Sequence, residues 1–157
     1  MDSVPTYNDL VGGVTLEVLD DFTGVDETLV KGETVTLTGE HALNYIRSRK
    51  GLDDPTNINR MARQRQYLDA LYRKTLECAE NDDRFIINAT LEMAQYMVSD
   101  CSSDKLQTLF EKVTGYEFLG IRNIEGTSVK GEKHMEFYPN VDSMKKTIVE
   151  LFYEEKK

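Results

Sequence analysis

The sequence predicts an α/β fold in which a mixed β-sheet is flanked by helices, with helices in the majority. Two short segments near the N-terminus have the alternation of strands, five later segments have the apolar spacing of helices, and further short strands lie among those helices. The chain has 157 residues, the length of one domain, and its 39% hydrophobic and 30% charged content are ordinary for a globular protein. We therefore expect one domain over residues 1–157.

Two strands and a helix are predicted in the first part of the chain. Residues 14–19 follow a Gly-Gly turn and largely alternate apolar with polar side chains, which is the pattern of a half-buried strand. A second short strand is predicted at Thr34–Leu37. Thr38 or Gly39 is then expected to cap a helix that ends near residue 46.

The longest predicted helix covers residues 58–79. It follows Pro55, which suits a first helical turn, and either Asp54 or Asn57 is expected to cap it. Apolar residues recur along it, which predicts a face packed against the core. The predicted core contacts on this helix are Met61, Leu68, Leu71, Tyr72 and Leu76.

Helices and short strands share the rest of the chain. A helix capped by Ser102 or Ser103 is expected to stop at Gly115, because glycine commonly ends helices. A segment between the last two strands reads as a loop. The predicted elements are a helix at 84–98, the helix between Ser102 or Ser103 and Gly115, strands at 116–121 and 135–138, and an amphipathic helix that closes the chain.

Cysteine usage and hydropathy limit the class of protein further. Cys78 and Cys101 are too few for a disulfide framework, so we expect buried thiols, with a single disulfide as the alternative. The longest apolar runs are only a few residues, and the N-terminus lacks the pattern of a secretion signal. We therefore expect no membrane segment within this chain.

Positive charge is concentrated in one stretch of an acidic protein. Residues 45–74 hold eight basic and three acidic residues, a local charge of +5, whereas the whole chain carries −9. A net negative charge repels polyanions, so nucleic acid is not an expected partner. The patch suits a small, concentrated anion such as a phosphate, a pyrophosphate or a carboxylate.

The spacing of the arginines in residues 45–68 indicates how they are presented. Arg47 and Arg49 are two positions apart, so they share a face only where the chain is extended, which predicts that the preceding helix ends near residue 45 or 46. Arg60, Arg63 and Gln64 have the spacing of one helical stripe and lie in the first two turns of a helix. Helix starts attract anions, and guanidinium groups match phosphate oxygens. The alternative is that these arginines form a solvated face or pair with carboxylates elsewhere.

Two roles are possible for Asp53 and Asp54. They are either turn and cap residues or carboxylates that hold Mg²⁺ or move a proton beside a phosphate. Since neither pattern nor spacing separates these interpretations, both residues stay candidates for a metal site.

Three segments together resemble the LytR–CpsA–Psr (LCP) family. They are a GGV strand start at Gly12–Val14, the pattern L-x-G-x-x-A-L-x-Y-x-R-x-R at Leu37–Arg49, and a helix similar to D-x-x-R-x-x-R-Q at Asn57–Gln64. Their order and spacing fit the family over about residues 10–70.

The resemblance implies a function in the envelope of Gram-positive bacteria. LCP proteins are phosphotransferases that move a glycopolymer, such as wall teichoic acid or capsular polysaccharide, from a polyprenyl-pyrophosphate carrier to peptidoglycan. The implied fold is a mixed sheet with an apolar groove for the lipid, the implied cofactor is Mg²⁺, and the family is membrane-anchored and extracytoplasmic. Some members are labelled transcriptional regulators. Carried over to this sequence, the implied catalytic residues are Arg47, Arg49 and Arg60, and the implied substrate-binding residues are Arg63, Gln64 and Asn57.

Two departures from the family pattern affect these expectations. The family's aspartate falls on Asn57, whose amide cannot act as a carboxylate base, although Asp53 or Asp54 could substitute. The chain also begins late relative to the family, so we expect a C-terminal portion of the domain that lacks acidic Mg²⁺ ligands and leaves a sheet edge open to homodimerisation. The alternative functions are a non-catalytic module that binds pyrophosphate lipid or wall polymer, and a regulatory protein.

Overall fold

The computed structural model describes residues 2–98, 100–113 and 115–153, and these form two units, residues 1–119 and residues 120–157. Both units combine helical structure with a small antiparallel sheet, which confirms the predicted α/β class. Within the described residues, no helix has the length and the apolar character needed to cross a bilayer.

The described residues of the first unit form two strands and five helices. The strands are antiparallel, with Val14 opposite Leu37 and Glu17 opposite Thr34, so both predicted strands are confirmed. The elements are α1 (Ser3–Leu10), β1 (Val14–Glu17), β2 (Thr34–Leu37), α2 (Gly39–Arg47), α3 (Asn57–Asn81), α4 (Phe85–Ala94) and α5 (Ser103–Val113).

The core of this unit lies beneath one face of the β1–β2 hairpin. Val14, Leu16 and Val18 are buried, while the intervening residues face outward. On the outer face, the hydroxyls of Thr15 and Thr36 form a cross-strand hydrogen bond of 2.8 Å. The alternation in the sequence therefore decides which side of the hairpin the helices cover. The buried apolar residues are Val11, Val14, Leu16, Val18, Phe22, Leu29, Leu37, Ala42, Tyr45, Leu52, Tyr67, Phe85 and Ala89.

The start of α3 is set by Thr56, not by Asp54 or Asn57 as predicted. The backbone of Thr56 is extended, and its hydroxyl oxygen accepts a hydrogen bond from the amide of Asn59. Asp54 instead accepts a hydrogen bond from the Thr56 amide at 2.9 Å, and Asn57 is the first helical residue. A Ser or Thr oxygen at this position satisfies one of the amides that the first helical turn leaves without a partner.

The face that α3 buries differs from the predicted one. Met61 and Leu68 are 39% and 47% exposed, whereas Arg63 and Tyr67 are buried and Leu71 packs partly against the core. The buried face of α3 includes the charged residue Arg63, because Arg63 has polar partners inside the unit. An apolar count along the helix does not detect such a face.

Three further element boundaries differ from prediction. Helix α2 continues to Arg47, and Ser48 is the first extended residue; α4 is shorter than predicted. Residues 116–121 form no strand. Their aromatic residues instead contact α3: the ring of Phe118 lies 4.7 Å from that of Tyr72, whose hydroxyl donates to the carbonyl of Tyr116.

The described residues of the second unit form a hairpin and a helix. Strands β3 (Gly126–Lys130) and β4 (Met135–Pro139) pair antiparallel, with Gly126 opposite Pro139. The prediction placed β4 correctly but assigned β3 to a loop. Helix α6 (Val141–Phe152) begins where the Asn140 side chain accepts hydrogen bonds from the amides of Asp142 and Ser143. Among the described residues of this unit, none is buried.

The two cysteines do not form a disulfide. Cys78 is half-buried, and its thiol lies 3.6 Å from the carbonyl oxygen of Val11. Cys101 is exposed, so the expectation of buried thiols is wrong for that residue.

Candidate functional site

Two side chains of α3 hold the end of α2 in place. Arg63 donates from Nη1 to the carbonyl of Tyr45 at 2.6 Å and from Nη2 to the carbonyl of Ser48 at 2.5 Å. Gln64 donates from Nε2 to the carbonyl of Ile46 at 3.1 Å. The last carbonyls of a helix lack partners within it, so these bonds complete the end of α2. We call this contact, formed by residues 45–49 and 60–64, the α2–α3 junction.

The guanidinium of Arg63 lies entirely inside the first unit. Its side chain is 0% exposed, and its central carbon lies 5.1 Å from the ring centre of Phe22 and 5.9 Å from that of Tyr45. Nε lies 3.9 Å from Oδ2 of Asp20. Burial lowers the pKa of Arg63, while the nearby Asp20 and Tyr45 raise it. A buried charge is tolerated because it is paired and hydrogen-bonded.

Asp20 is the acidic partner in this interior. It is 1% exposed, its Oδ2 accepts from Nδ2 of Asn59 at 2.5 Å, and its Oδ1 accepts from the Asp21 amide at 3.0 Å. The same Asn59 nitrogen lies 3.3 Å from the carbonyl oxygen of Asp54. Asp20 therefore connects the loop after β1 to two positions of α3.

Tyr45 and Gln66 connect the junction to β1. The Tyr45 hydroxyl donates to Oε1 of Gln66 and accepts from the Leu19 amide at 3.3 Å. Gln66 in turn donates to the carbonyl of Glu17 at 2.8 Å. Burial raises the pKa of Tyr45 to about 12.

The three arginines predicted to be catalytic all lie at this junction. Arg47 is exposed at the last residue of α2, and exposed Arg49 donates from Nε to the carbonyl of Pro55 at 3.3 Å. Arg60 lies in the first turn of α3 and donates from Nη2 to Oδ1 of Asn57 at 2.6 Å. Asn57 thus positions Arg60 through its amide oxygen. Unlike these three arginines, Arg63 donates hydrogen bonds from both Nη atoms to backbone carbonyls. Its predicted role in binding substrate stays a prediction.

The two acidic candidates are placed in turn structure. Exposed Asp53 lies 3.6 Å from Nζ of Lys31. Asp54 is exposed, and hydrogen bonds from the side chain and amide of Thr56 lower its pKa. Within the part of the chain that the structure describes, no three His, Cys, Asp or Glu side chains are arranged to hold a metal ion. Asp53 and Asp54 thus have an ion-pair partner and a backbone partner, respectively, and their assignment as Mg²⁺ ligands stays a prediction.

An apolar groove of about 360 Å³ opens beside the junction. Ile46 and Gln64 belong both to the junction and to the wall of this groove, and Arg47 follows Ile46 in the chain. The groove is therefore continuous with the backbone that carries the arginines. Its lining residues are Ser3, Val4, Tyr7, Ile46, Gln64, Tyr67, Leu68, Leu71 and Met93.

Several residues of this arrangement were not identified from the sequence. Phe22, Asn59 and Gln66 carry no motif that marks them. Asp20 does have a signal, because it continues the inward-facing alternation of β1, on the same face as Val18. An acidic residue in phase with buried positions indicates a buried partner.

Comparison with known protein families gives a match over the whole chain. The model of the LytR_cpsA_psr family matches residues 1–157. The chain belongs to this family. No curated protein matches it.

Solved structures of several proteins share the LCP fold of this chain. A protein from Enterococcus faecalis, described as a transcriptional regulator, has 21% identity and a TM-score of 0.69 over 98% of this chain and 57% of its own. TagV of B. subtilis has 23% identity and a TM-score of 0.65, over 98% and 62%. TagU of B. subtilis has 20% identity and a TM-score of 0.62, over 99% and 63%. The chain thus spans about 57–63% of the length of these LCP structures.

Proposed function

We propose that this LCP chain binds the polyprenyl-pyrophosphate end of a lipid-linked glycopolymer, as part of a phosphotransferase that delivers the polymer to peptidoglycan. The observation that carries the proposal is the α2–α3 junction, where exposed arginines lie on backbone that also forms the wall of an apolar groove. A polyprenyl pyrophosphate has the same two parts, a concentrated anion attached to an apolar tail. Family membership supports the same assignment.

The chemistry of the junction suits recognition of a pyrophosphate. Arg47, Arg49 and Arg60 would bind its oxygens through charge-assisted hydrogen bonds. The first turn of α3 adds the positive end of a 25-residue helix. Such groups neutralise charge on the phosphates while a sugar hydroxyl of peptidoglycan attacks the phosphorus that carries the glycopolymer. The bond from that phosphorus to the bridging oxygen breaks, and polyprenyl phosphate and the hydroxyl proton are released. We assign to the residues of this chain the binding and orientation of the lipid pyrophosphate, and Mg²⁺, which the family resemblance implies, would add to this charge neutralisation.

The proposal places the site on the outer side of the membrane, where the lipid carrier presents a wall polymer such as teichoic acid or capsular polysaccharide. Peptidoglycan is the acceptor in this scheme. The net charge of −9 argues against a role in binding DNA.

Asn57 favours a second candidate, a binding module without catalysis. Its amide oxygen accepts the Arg60 hydrogen bond at 2.6 Å, but an amide supplies no carboxylate base. Binding of the lipid pyrophosphate is common to both candidates, so they differ only in whether transfer follows.

The first experiment is calorimetric titration with geranyl pyrophosphate, a short and soluble polyprenyl pyrophosphate, with and without Mg²⁺. We expect binding to the wild-type chain and a loss of about tenfold or more in Arg47→Ala, since a charge-assisted contact contributes about 1.5–3 kcal/mol. Arg73→Ala is the matched control, because Arg73 is exposed on α3 and pairs with Asp69 at 2.8 Å. Equal binding of geraniol, or unchanged affinity in Arg47→Ala, would overturn the proposal.

An assay of polymer transfer distinguishes the phosphotransferase from the non-catalytic binding module. Lipid-linked polymer and peptidoglycan are incubated with wild type and with Asn57→Asp, and labelled polymer in the wall fraction is counted. Transfer by the wild type supports the phosphotransferase. Binding without transfer in both proteins supports the module, and transfer by Asn57→Asp alone assigns the missing step to the carboxylate.

A further inference from the structure

The Arg63 side chain has no surface left for a ligand. Both Nη atoms donate to carbonyl oxygens of residues 45 and 48, the side chain is 0% exposed, and Nε faces Asp20 at 3.9 Å. The rings of Phe22 and Tyr45 lie within 6 Å of its guanidinium carbon. A phosphate could reach this group only if those bonds broke and the core opened.

The carbonyls that Arg63 binds control the direction of the chain at the exposed arginines. Arg47 is the last residue of α2, and Ser48 turns extended, with φ −60° and ψ 140°. Arg63 donates one hydrogen bond to the carbonyl of Tyr45, which precedes this change of backbone conformation, and the other to the carbonyl of Ser48, where the change occurs. Because one planar guanidinium makes both bonds, it fixes the angle between the helical residue Arg47 and the residue that follows the turn, Arg49.

Asp20 is the acidic partner of the guanidinium, with Oδ2 at 3.9 Å from Nε and no hydrogen bond between the two atoms. Its carboxylate compensates the buried charge, and Asn59 holds the carboxylate through a 2.5 Å hydrogen bond from the first turn of α3. A cation is also favourable at the carbonyl end of a helix such as α2. The arrangement therefore joins three segments: the loop after β1, the end of α2 and the start of α3.

We infer that Arg63 and Asp20 are positioning residues, which do not touch the pyrophosphate but set the presentation of Arg47 and Arg49 to it. The inference rests on the proposed function for the identity of the ligand. It assigns Arg63 a different role from the substrate-binding one that the family pattern implies.

The first test measures order at the junction without any ligand. The Ser48 amide donates to the carbonyl of Asn44 at 3.0 Å and reports on the end of α2. In Arg63→Lys, which keeps the charge but loses the fork, we expect exchange of this amide to rise about tenfold or more relative to the β1–β2 amides. Asp20→Asn serves as a second variant of equal size, so the test does not depend on one protein folding.

The second test is a double-mutant cycle on the affinity for inorganic pyrophosphate. We expect Arg63→Lys and Asp20→Asn each to weaken binding about tenfold in the wild-type background and less than about twofold in Arg47→Ala/Arg49→Ala. Val14→Ala, a core variant at the far end of β1, is the control for general destabilisation and should leave both the affinity and the relative exchange of Ser48 unchanged.

Each result has a defined meaning. Unchanged exchange at Ser48 in both variants would overturn the inference. An undiminished effect in the Arg47→Ala/Arg49→Ala background would also overturn it, because Arg63 would then bind the anion directly. If the wild type fails to bind pyrophosphate, the proposed function fails, and the Ser48 exchange alone still decides whether Arg63 orders this segment.

Discussion

Tyr45 illustrates how one buried side chain can connect several elements. It is 0% exposed, yet its hydroxyl reaches Gln66 of α3 and the Leu19 amide, while its carbonyl accepts from Arg63. A buried hydroxyl needs such partners because an unpaired one costs free energy. Tyr45 therefore packs in the core and at the same time connects α2, α3 and the loop after β1 through its hydrogen bonds.

Because the folded chain keeps the Tyr45 hydroxyl protonated to high pH, we predict a loss of stability at alkaline pH. The pKa of Tyr45 is about 12 in the folded chain and near 10 in an unfolded one. Between these values only the unfolded chain releases the proton, so the free energy of unfolding falls as pH rises from 10 to 12. Urea titrations at pH 8, 10 and 11 measure this fall.

The Tyr45→Phe variant provides the comparison for this prediction. It should show a shallower fall than the wild type, although a fall remains because burial also raises the pKa of Tyr67. Tyr153→Phe, at a residue 69% exposed, should match the wild type. Parallel curves for Tyr45→Phe and wild type would contradict the assignment.

At the scale of elements, the Gly-Gly turn determines how α1 leads into β1. Gly12 and Gly13 have φ values of +82° and +91°, in the left-handed region that other residues avoid. A Cβ at Gly13 would lie 2.8 Å from Cγ2 of Thr36 and 3.0 Å from the carbonyl oxygen of Leu37, whereas one at Gly12 would meet nothing within 4 Å. The two glycines thus share a backbone requirement, but only Gly13 lies against β2.

Alanine substitutions separate these two effects. Gly12→Ala should lower the free energy of unfolding by about 1–2 kcal/mol through backbone strain alone. Gly13→Ala should lower it by clearly more, because β2 must also move. Urea denaturation measures both, and equal losses would show that the approach of Thr36 is not a constraint.

At the scale of the whole molecule, strand edges remain available for pairing. Each described sheet has two strands, so every strand has one unpaired edge, and both strands of the β3–β4 hairpin are exposed along their length. Phe137 and Val129 are 52% and 47% exposed there. Open apolar edges recruit further strands.

We therefore predict that the chain forms a homodimer through this hairpin. Sedimentation equilibrium across a hundredfold range of concentration should show a monomer–dimer equilibrium. A lysine at an exposed strand position blocks edge pairing, so Val129→Lys should shift the equilibrium toward monomer. Glu17→Lys on β1 is the matched control and should leave the monomer–dimer equilibrium unchanged. A strictly monomeric wild type would contradict the prediction.

The sequence by itself determined much of the local structure and the grouping of the candidate arginines. Alternation identified β1, turn chemistry and apolar spacing identified α2 to α6, and the family pattern placed Arg47, Arg49 and Arg60 in one region. These features depend on neighbours within a few positions of the chain, which is why a pattern detects them. Strand β3 and the coil at 116–121 were missed because strand formation depends on a partner strand elsewhere.

Only the tertiary structure decided which of the polar residues face inward. Arg60 and Arg63 have equivalent positions in the helical pattern, yet Arg60 bonds to Asn57 near the surface and Arg63 lies buried beside Asp20. Asp20 is 43 positions away from Arg63 in the chain, so no local spacing relates them. Burial of a charge depends on the partners that folding brings together, and those partners come from the loop after β1 and the end of α2.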